Sequence, residues 1–116
     1  MRVFLTTTFT PAMLPAGYNG RVLMREVDAE VFARELAYAF RNKDLIFAVG
    51  HENTAEILRR KFLLSQSPFA RVRVELQRGD TVLAAIPQFR PPQAREFTDA
   101  EVQNATFRYW VISVGL

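Results

Sequence analysis

The chain has 116 residues, of which 49% are hydrophobic and 23% charged, with ten Phe, six Pro and five Gly. That is the make-up of one folded domain, spanning residues 1–116, and not of a disordered chain. There is no cysteine and one histidine, His51, which excludes disulfides, thiol nucleophiles, zinc knuckles, iron–sulfur clusters and a His-pair metal site within one chain.

Lys and Arg total 15 against 12 Asp and Glu, a net charge of +3, and all but Lys43 and Lys61 of the cations are Arg. Arginine's planar donor fork suits phosphate and base edges. So small an excess does not by itself mark a binder of long DNA or RNA. The N-terminal MRVFLTTTF is too short for a signal peptide, and no segment approaches the ~20 apolar residues of a membrane span. The expectation is a cytoplasmic chain with no membrane partner.

In chain order, residues 2–6 read as a buried strand. Thr10–Pro11 is a helix-start signal, a hydroxyl N-cap followed by proline, and it opens at most one turn. Residues 21–27 form a second strand candidate. Asp28 caps a helix over residues 29–41 whose Phe32, Leu36, Ala39 and Phe40 make one apolar face. The run LIFAV (residues 45–49) has the pattern of a central strand buried on both faces. Glu52, Asn53 and Thr54 come next, and then a helix through about residue 64, with Leu58 and Phe62 inward. RVRVEL (residues 71–76) alternates, Val72, Val74 and Leu76 one way and Arg71, Arg73 and Glu75 the other. With a turn at Gln77–Arg78–Gly79–Asp80 and a strand over residues 81–86, it predicts a hairpin. Residues 87–97, with Pro87, Pro91 and Pro92, form a loop of the length that often serves as a lid. Thr98 and Glu101 make a capping box, and FRYWVISV (residues 107–114) is a last strand. Interleaved strands and helices give an α/β class: a single domain with a mixed sheet of about five strands flanked by helices.

The stretch of residues 45–54 carries the most chemistry. A strand ends at Gly50, where the backbone can approach a ligand closely, and His51 follows at the strand's carboxyl end beside a helix start. Ligands of α/β sheets collect at such ends, and helix N-termini present amides to phosphate. A lone histidine is also often a cap or a packed surface group. Thr7, Thr8 and Thr10 end the first strand in the same way, or serve only strand propensity and capping. Arg71 and Arg73 are candidates for phosphate or members of a solvated face. Gln88 and Arg90 are candidates or ordinary loop polarity. Hydroxyls, amides and arginines around one histidine, without a metal-ligand set, suit a phosphodiester. In RNA the 2′-OH can attack the adjacent phosphorus while a histidine protonates the leaving 5′-oxygen, a general-acid contribution of about 10²–10⁴-fold. Arginine and amide donors would stabilise the phosphoryl charge.

VFLTTTFTPAML (residues 3–14), FAVGHENTAEIL (47–58), RVELQRGD (73–80), IPQFR (86–90) and FTDAEV (97–102) together resemble the small viral ring nucleases. These are anti-CRISPR proteins of archaeal viruses, found also in bacteria and phages. The resemblance spans nearly the whole chain, and its most specific part is the Gly–His–acid–polar–Thr stretch. It implies a homodimer that binds cyclic tetra-adenylate, the second messenger of type III CRISPR systems, across its interface. It implies metal-free cleavage, with no cofactor, to linear adenylates ending in a 2′,3′-cyclic phosphate, in the host cytoplasm if the protein is viral.

By this resemblance His51 is the general acid and Arg90 a second catalytic residue. Thr7, Thr8, Phe9 and Thr10 form the substrate loop, with Gly50, Arg73 and Gln88 also at the substrate. The chain departs from the archaeal pattern in three places. Thr7 replaces an Asn, Phe89 separates Gln88 from Arg90, and Pro91–Pro92 stand where the family has acids, with Glu96 a poor substitute. The alternatives are a binding module that holds the ring uncut, as sponge or sensor, and a basic interaction protein.

Overall fold

The computed structural model describes residues 1–90 and 97–115. Five strands make one sheet: β1 (Val3–Thr6), β2 (Val22–Val27), β3 (Leu45–Phe47), β4 (Thr81–Pro87) and β5 (Phe107–Val114). Their spatial order is β2-β5-β4-β1-β3. β1 runs parallel to both β3 and β4, while β5 is antiparallel to β4 and β2. The helices are α1 (Ala29–Arg41), α2 (Glu52–Lys61) and α3 (Asp99–Asn104), with a 3₁₀ turn at Pro11–Met13. The sheet is mixed, as expected, and the whole is one α/β domain.

Strand alternation divides the core into two layers. Val3 and Leu5 of β1, Leu83 and Ala85 of β4, and Tyr109 and Val111 of β5 face the helices, against Phe32, Leu36, Ala55, Leu58 and Val102. Phe4, Val82, Ala84, Ile112 and Val114 face the other way. No α-helix covers that second layer among the described residues. The 3₁₀ turn and irregular chain do so instead, through Met13, Leu14, Tyr18, Val74 and Leu76.

Local signals place the helix ends. The Asp28 carboxylate accepts from the Val31 amide at 2.8 Å and starts α1. Thr98 and Glu101 form the reciprocal capping box of α3. Thr10 precedes the 3₁₀ turn, but its hydroxyl makes no capping bond.

Three expectations are corrected. Residues 71–77 are not a strand and make no hairpin with β4, because β1 and β5 already occupy both edges of β4. Their alternation comes from lying across the second layer, with Val74 and Leu76 inward and the Leu76 amide donating to the Met13 carbonyl at 2.8 Å. The LIF strand is not central: β3 is an edge strand, only half-buried. Its apolar run reflects cover on both faces, Leu45 and Phe47 on one and Ile46 and Ala48 on the other, and not neighbours on both sides. Phe40 of α1 is 56% exposed and lies outside the core. The expected readings of Pro91, Pro92 and Glu96 fall outside the described residues.

Candidate functional site

Because β1, β3 and β4 are parallel, their carboxyl ends open on one side of the sheet. A cleft of about 850 Å³ lies there. The exit of β1 contributes Thr6, Thr7 and Thr8, and the chain after β3 contributes Ala48, Gly50 and His51. The first turn of α2 adds Glu52, Asn53 and Thr54, and the exit of β4 adds Pro87 and Phe89. Met13, Val72 and Val74 complete the wall.

His51 is the N-cap of α2: its backbone is extended, and its carbonyl accepts from the Ala55 amide at 2.9 Å. Its imidazole makes no capping bond and is exposed, with no hydrogen-bond partner among the described residues. It is therefore available to a ligand in the cleft. The first amides of a helix have no acceptor within it, so the α2 wall presents positive potential suited to phosphate. Across the cleft the Thr6 hydroxyl, itself buried, donates to the Thr8 carbonyl at 2.8 Å and shapes the exit of β1. Gly50 has ample room: a Cβ there would meet no atom within 4 Å. Its openness belongs to the cleft and not to crowding by the fold.

The fold thus brings together Thr7, Thr8, Gly50 and His51. The other candidates stand apart from the wall. Phe9 packs into the second core layer, and Thr10 is exposed ahead of the 3₁₀ turn. Arg73 is exposed and lies 3.6 Å from Glu75, while the Arg71 guanidinium lies over the Phe69 ring, 5.6 Å from its centroid. Gln88 turns back on its own strand, donating to the Ile86 carbonyl at 3.1 Å. Arg90 is exposed just beyond Phe89.

Sequence reasoning missed Phe89. The ring sits in the cleft and packs edge-on against Phe107 at 5.3 Å. Its signal was the strand alternation carried one step past Pro87, which turns Phe89 inward and Gln88 and Arg90 away. No arginine lines the cleft among the described residues. Nor do those residues hold a group of three His, Cys, Asp or Glu placed to bind a metal ion.

Fold and cleft define a small α/β protein with an open, hydroxyl- and imidazole-lined site at the carboxyl ends of three parallel strands. The chain belongs to the STIV B116-like family, whose model matches residues 3–110. Among solved structures, B116 of Sulfolobus turreted icosahedral virus is similar, with a TM-score of 0.83 at 24% identity over 97% of this chain and 99% of that one. No curated protein matches the sequence. No helix among the described residues is long and apolar enough to cross a membrane.

Proposed function

We propose that this protein is a ring nuclease that binds cyclic tetra-adenylate and cleaves it without metal, silencing type III CRISPR signalling in the host cytoplasm. The observation that carries the reading is His51 at the N-terminus of α2, sharing one cleft with Thr7, Thr8 and Gly50.

A ribose 2′-oxygen forms a bond to the adjacent phosphorus and gives up its proton to water. The bond from phosphorus to the 5′-oxygen breaks, and His51 donates the proton that oxygen needs to leave. The products carry a 2′,3′-cyclic phosphate and a 5′-hydroxyl. The α2 amides and the threonine hydroxyls hold the phosphoryl oxygens, and Phe89 offers a face to adenine. In a homodimer two such clefts would meet a two-fold ring, and Arg73 and Arg90 would add charge at its margin.

A second reading is a module that holds the ring uncut. It is favoured by one observation, the lack of an arginine on the described cleft wall.

The test is incubation of the protein with labelled cyclic tetra-adenylate in EDTA, beside His51→Ala, with products identified by mass and mass-based sizing of the free protein. Wild-type cleavage with slowed cleavage and retained binding in the variant supports the nuclease. Binding without cleavage leaves the holding module, absence of binding removes both readings, and inhibition by EDTA contradicts metal-free chemistry. A monomer in solution removes the shared-ring arrangement.

A further inference from the structure

A second recess lies apart from the cleft and shares no lining residue with it. Leu36 and Phe40 of α1, Leu45 and Phe47 of β3, and Phe62 and Leu63 after α2 enclose a mainly apolar trough of about 280 Å³. Leu63 is 89% exposed and held at a left-handed φ of 54°. A leucine in that conformation is strained, yet it points an apolar side chain to solvent.

The trough borders the open edge of the sheet. Asp44 and Ala48 turn their backbone groups to β1, through the Val3 amide to the Asp44 carbonyl at 3.0 Å and the Ala48 amide to the Leu5 carbonyl at 2.9 Å. By alternation, Leu45, Phe47 and Val49 turn theirs outward. Val49 is satisfied on that side, donating to the Pro68 carbonyl at 3.2 Å and accepting from the Ala70 amide at 3.0 Å. Leu45 and Phe47 have no such neighbour among the described residues. Their N–H and C=O groups form an unpaired edge directly beside the trough.

Charge supplies the remaining constraint. Arg41 and Lys43 stand with Phe40, Leu45 and Phe47 around an adjoining hollow, and neither meets a carboxylate among the described residues. We propose that this face docks an extended, acidic and apolar segment of another protein. The segment adds as a short strand outside β3, drops an apolar side chain into the trough, and sets its acids against Arg41 and Lys43.

A second copy of this chain fits poorly. Two-fold antiparallel pairing about Ile46 would set Lys43 of each copy opposite Val49, whose outward groups are already bonded, and would gather like charges. The inference goes beyond the ring-nuclease reading and rests on none of its residues.

The experiment is selection from a displayed library of random heptapeptides against the full-length protein. Selected peptides are then synthesised and titrated by fluorescence anisotropy against wild type, Leu63→Glu and Lys43→Glu. Both substitutions lie at exposed positions, and thermal melting checks that each variant folds. The expected result is a consensus alternating Val, Ile or Leu with Asp or Glu, bound at least tenfold more weakly by each variant. Alternate N-methylation of the peptide should abolish binding, and bound peptide should slow amide exchange at Leu45 and Phe47. The inference is overturned by no enrichment, by a basic consensus, by equal binding to the variants, or by protection confined to other residues. Self-association that Leu63→Glu abolishes would also overturn it, in favour of a second copy. Cyclic tetra-adenylate binding, measured in parallel on the same variants, should stay at the wild-type level. Loss of ring binding by wild type alone bears on the proposed function and not on this face.

Discussion

The Thr6 hydroxyl donates to the Thr8 carbonyl at 2.8 Å, closing a tight bend where β1 opens into the cleft. The bond places Thr7 and Thr8 on the cleft wall while Thr6 itself stays 1% exposed. Thr6→Val keeps the β-branched shape that suits a strand and deletes only the donor. One such bond contributes about 0.5–1.5 kcal/mol, so urea unfolding should show a loss in that range. Cyclic tetra-adenylate affinity should fall several-fold as the loop loosens, and Thr6→Ser should restore most of it. Calorimetric titration of the three proteins decides this, and wild-type affinity in Thr6→Val would remove the loop from recognition.

Gly50 allows the proposed binding to be tested apart from folding. Its backbone is not left-handed, and a Cβ there meets no atom within 4 Å. Gly50→Ala should therefore leave the denaturation midpoint unchanged or slightly raised, within about 0.4–1 kcal/mol, because the unfolded chain loses freedom. The added methyl enters space that the ring would occupy. Ring affinity is expected to drop tenfold or more in the same protein, and an unaltered affinity would show that no ligand approaches that backbone.

Arg2 and Asp80 tie β1 to the turn before β4. The guanidinium donates from Nε to Oδ1 at 3.1 Å and from Nη2 to Oδ2 at 2.6 Å. The Asp80 hydrogen bond raises the pKa of Arg2 above its ordinary value, ahead of the direct charge attraction. Asp80 is 5% exposed and also accepts from the Gln77 amide at 2.7 Å. This buries the acid of the Arg78–Gly79–Asp80 triplet inside a structural turn. Asp80→Ala removes a charged acceptor from three donors and should cost about 2–3 kcal/mol. Arg2→Ala should cost less, since Arg2 is more exposed and water can replace part of its contact. Chemical denaturation of both single variants and the double variant would give the coupling, and additive losses would refute the pairing.

Much of the scaffold was legible from residues close in sequence. Asp28 and the spacing of Phe32, Leu36 and Ala39 placed α1, and Thr98 with Glu101 placed the start of α3. Those signals rest on local hydrogen bonds and one helical face. Lateral order was not legible. The RVRVEL alternation and the LIFAV run report which faces are covered, and coverage does not say whether a strand has neighbours. Hence residues 71–77 lack a ladder and β3 lies at an edge. The site divides in the same way. Gly50 and His51 could be read from one strand-to-helix junction, whereas Phe89 joins them only because β4 lies beside β1.

Tyr109 offers a test of the core at high pH. Its ring packs on Phe32 at 4.7 Å and on Phe107 at 5.9 Å, and its hydroxyl has no hydrogen-bond partner among the described residues. Burial pushes its pKa from 10.0 up to about 12. In the unfolded chain the phenol ionises near its ordinary value, so between these limits the unfolded state releases a proton that the folded state retains. The contribution is intact below about pH 10 and is lost as pH rises toward 12, by at most about 2–3 kcal/mol for a shift of that size. Denaturation across that range should show this decline in the wild type and a shallower one in Tyr109→Phe. At neutral pH the same variant should be as stable as the wild type or more so, because it deletes a buried group that gains no bond. An equal slope in both proteins would mean that the Tyr109 hydroxyl reaches water.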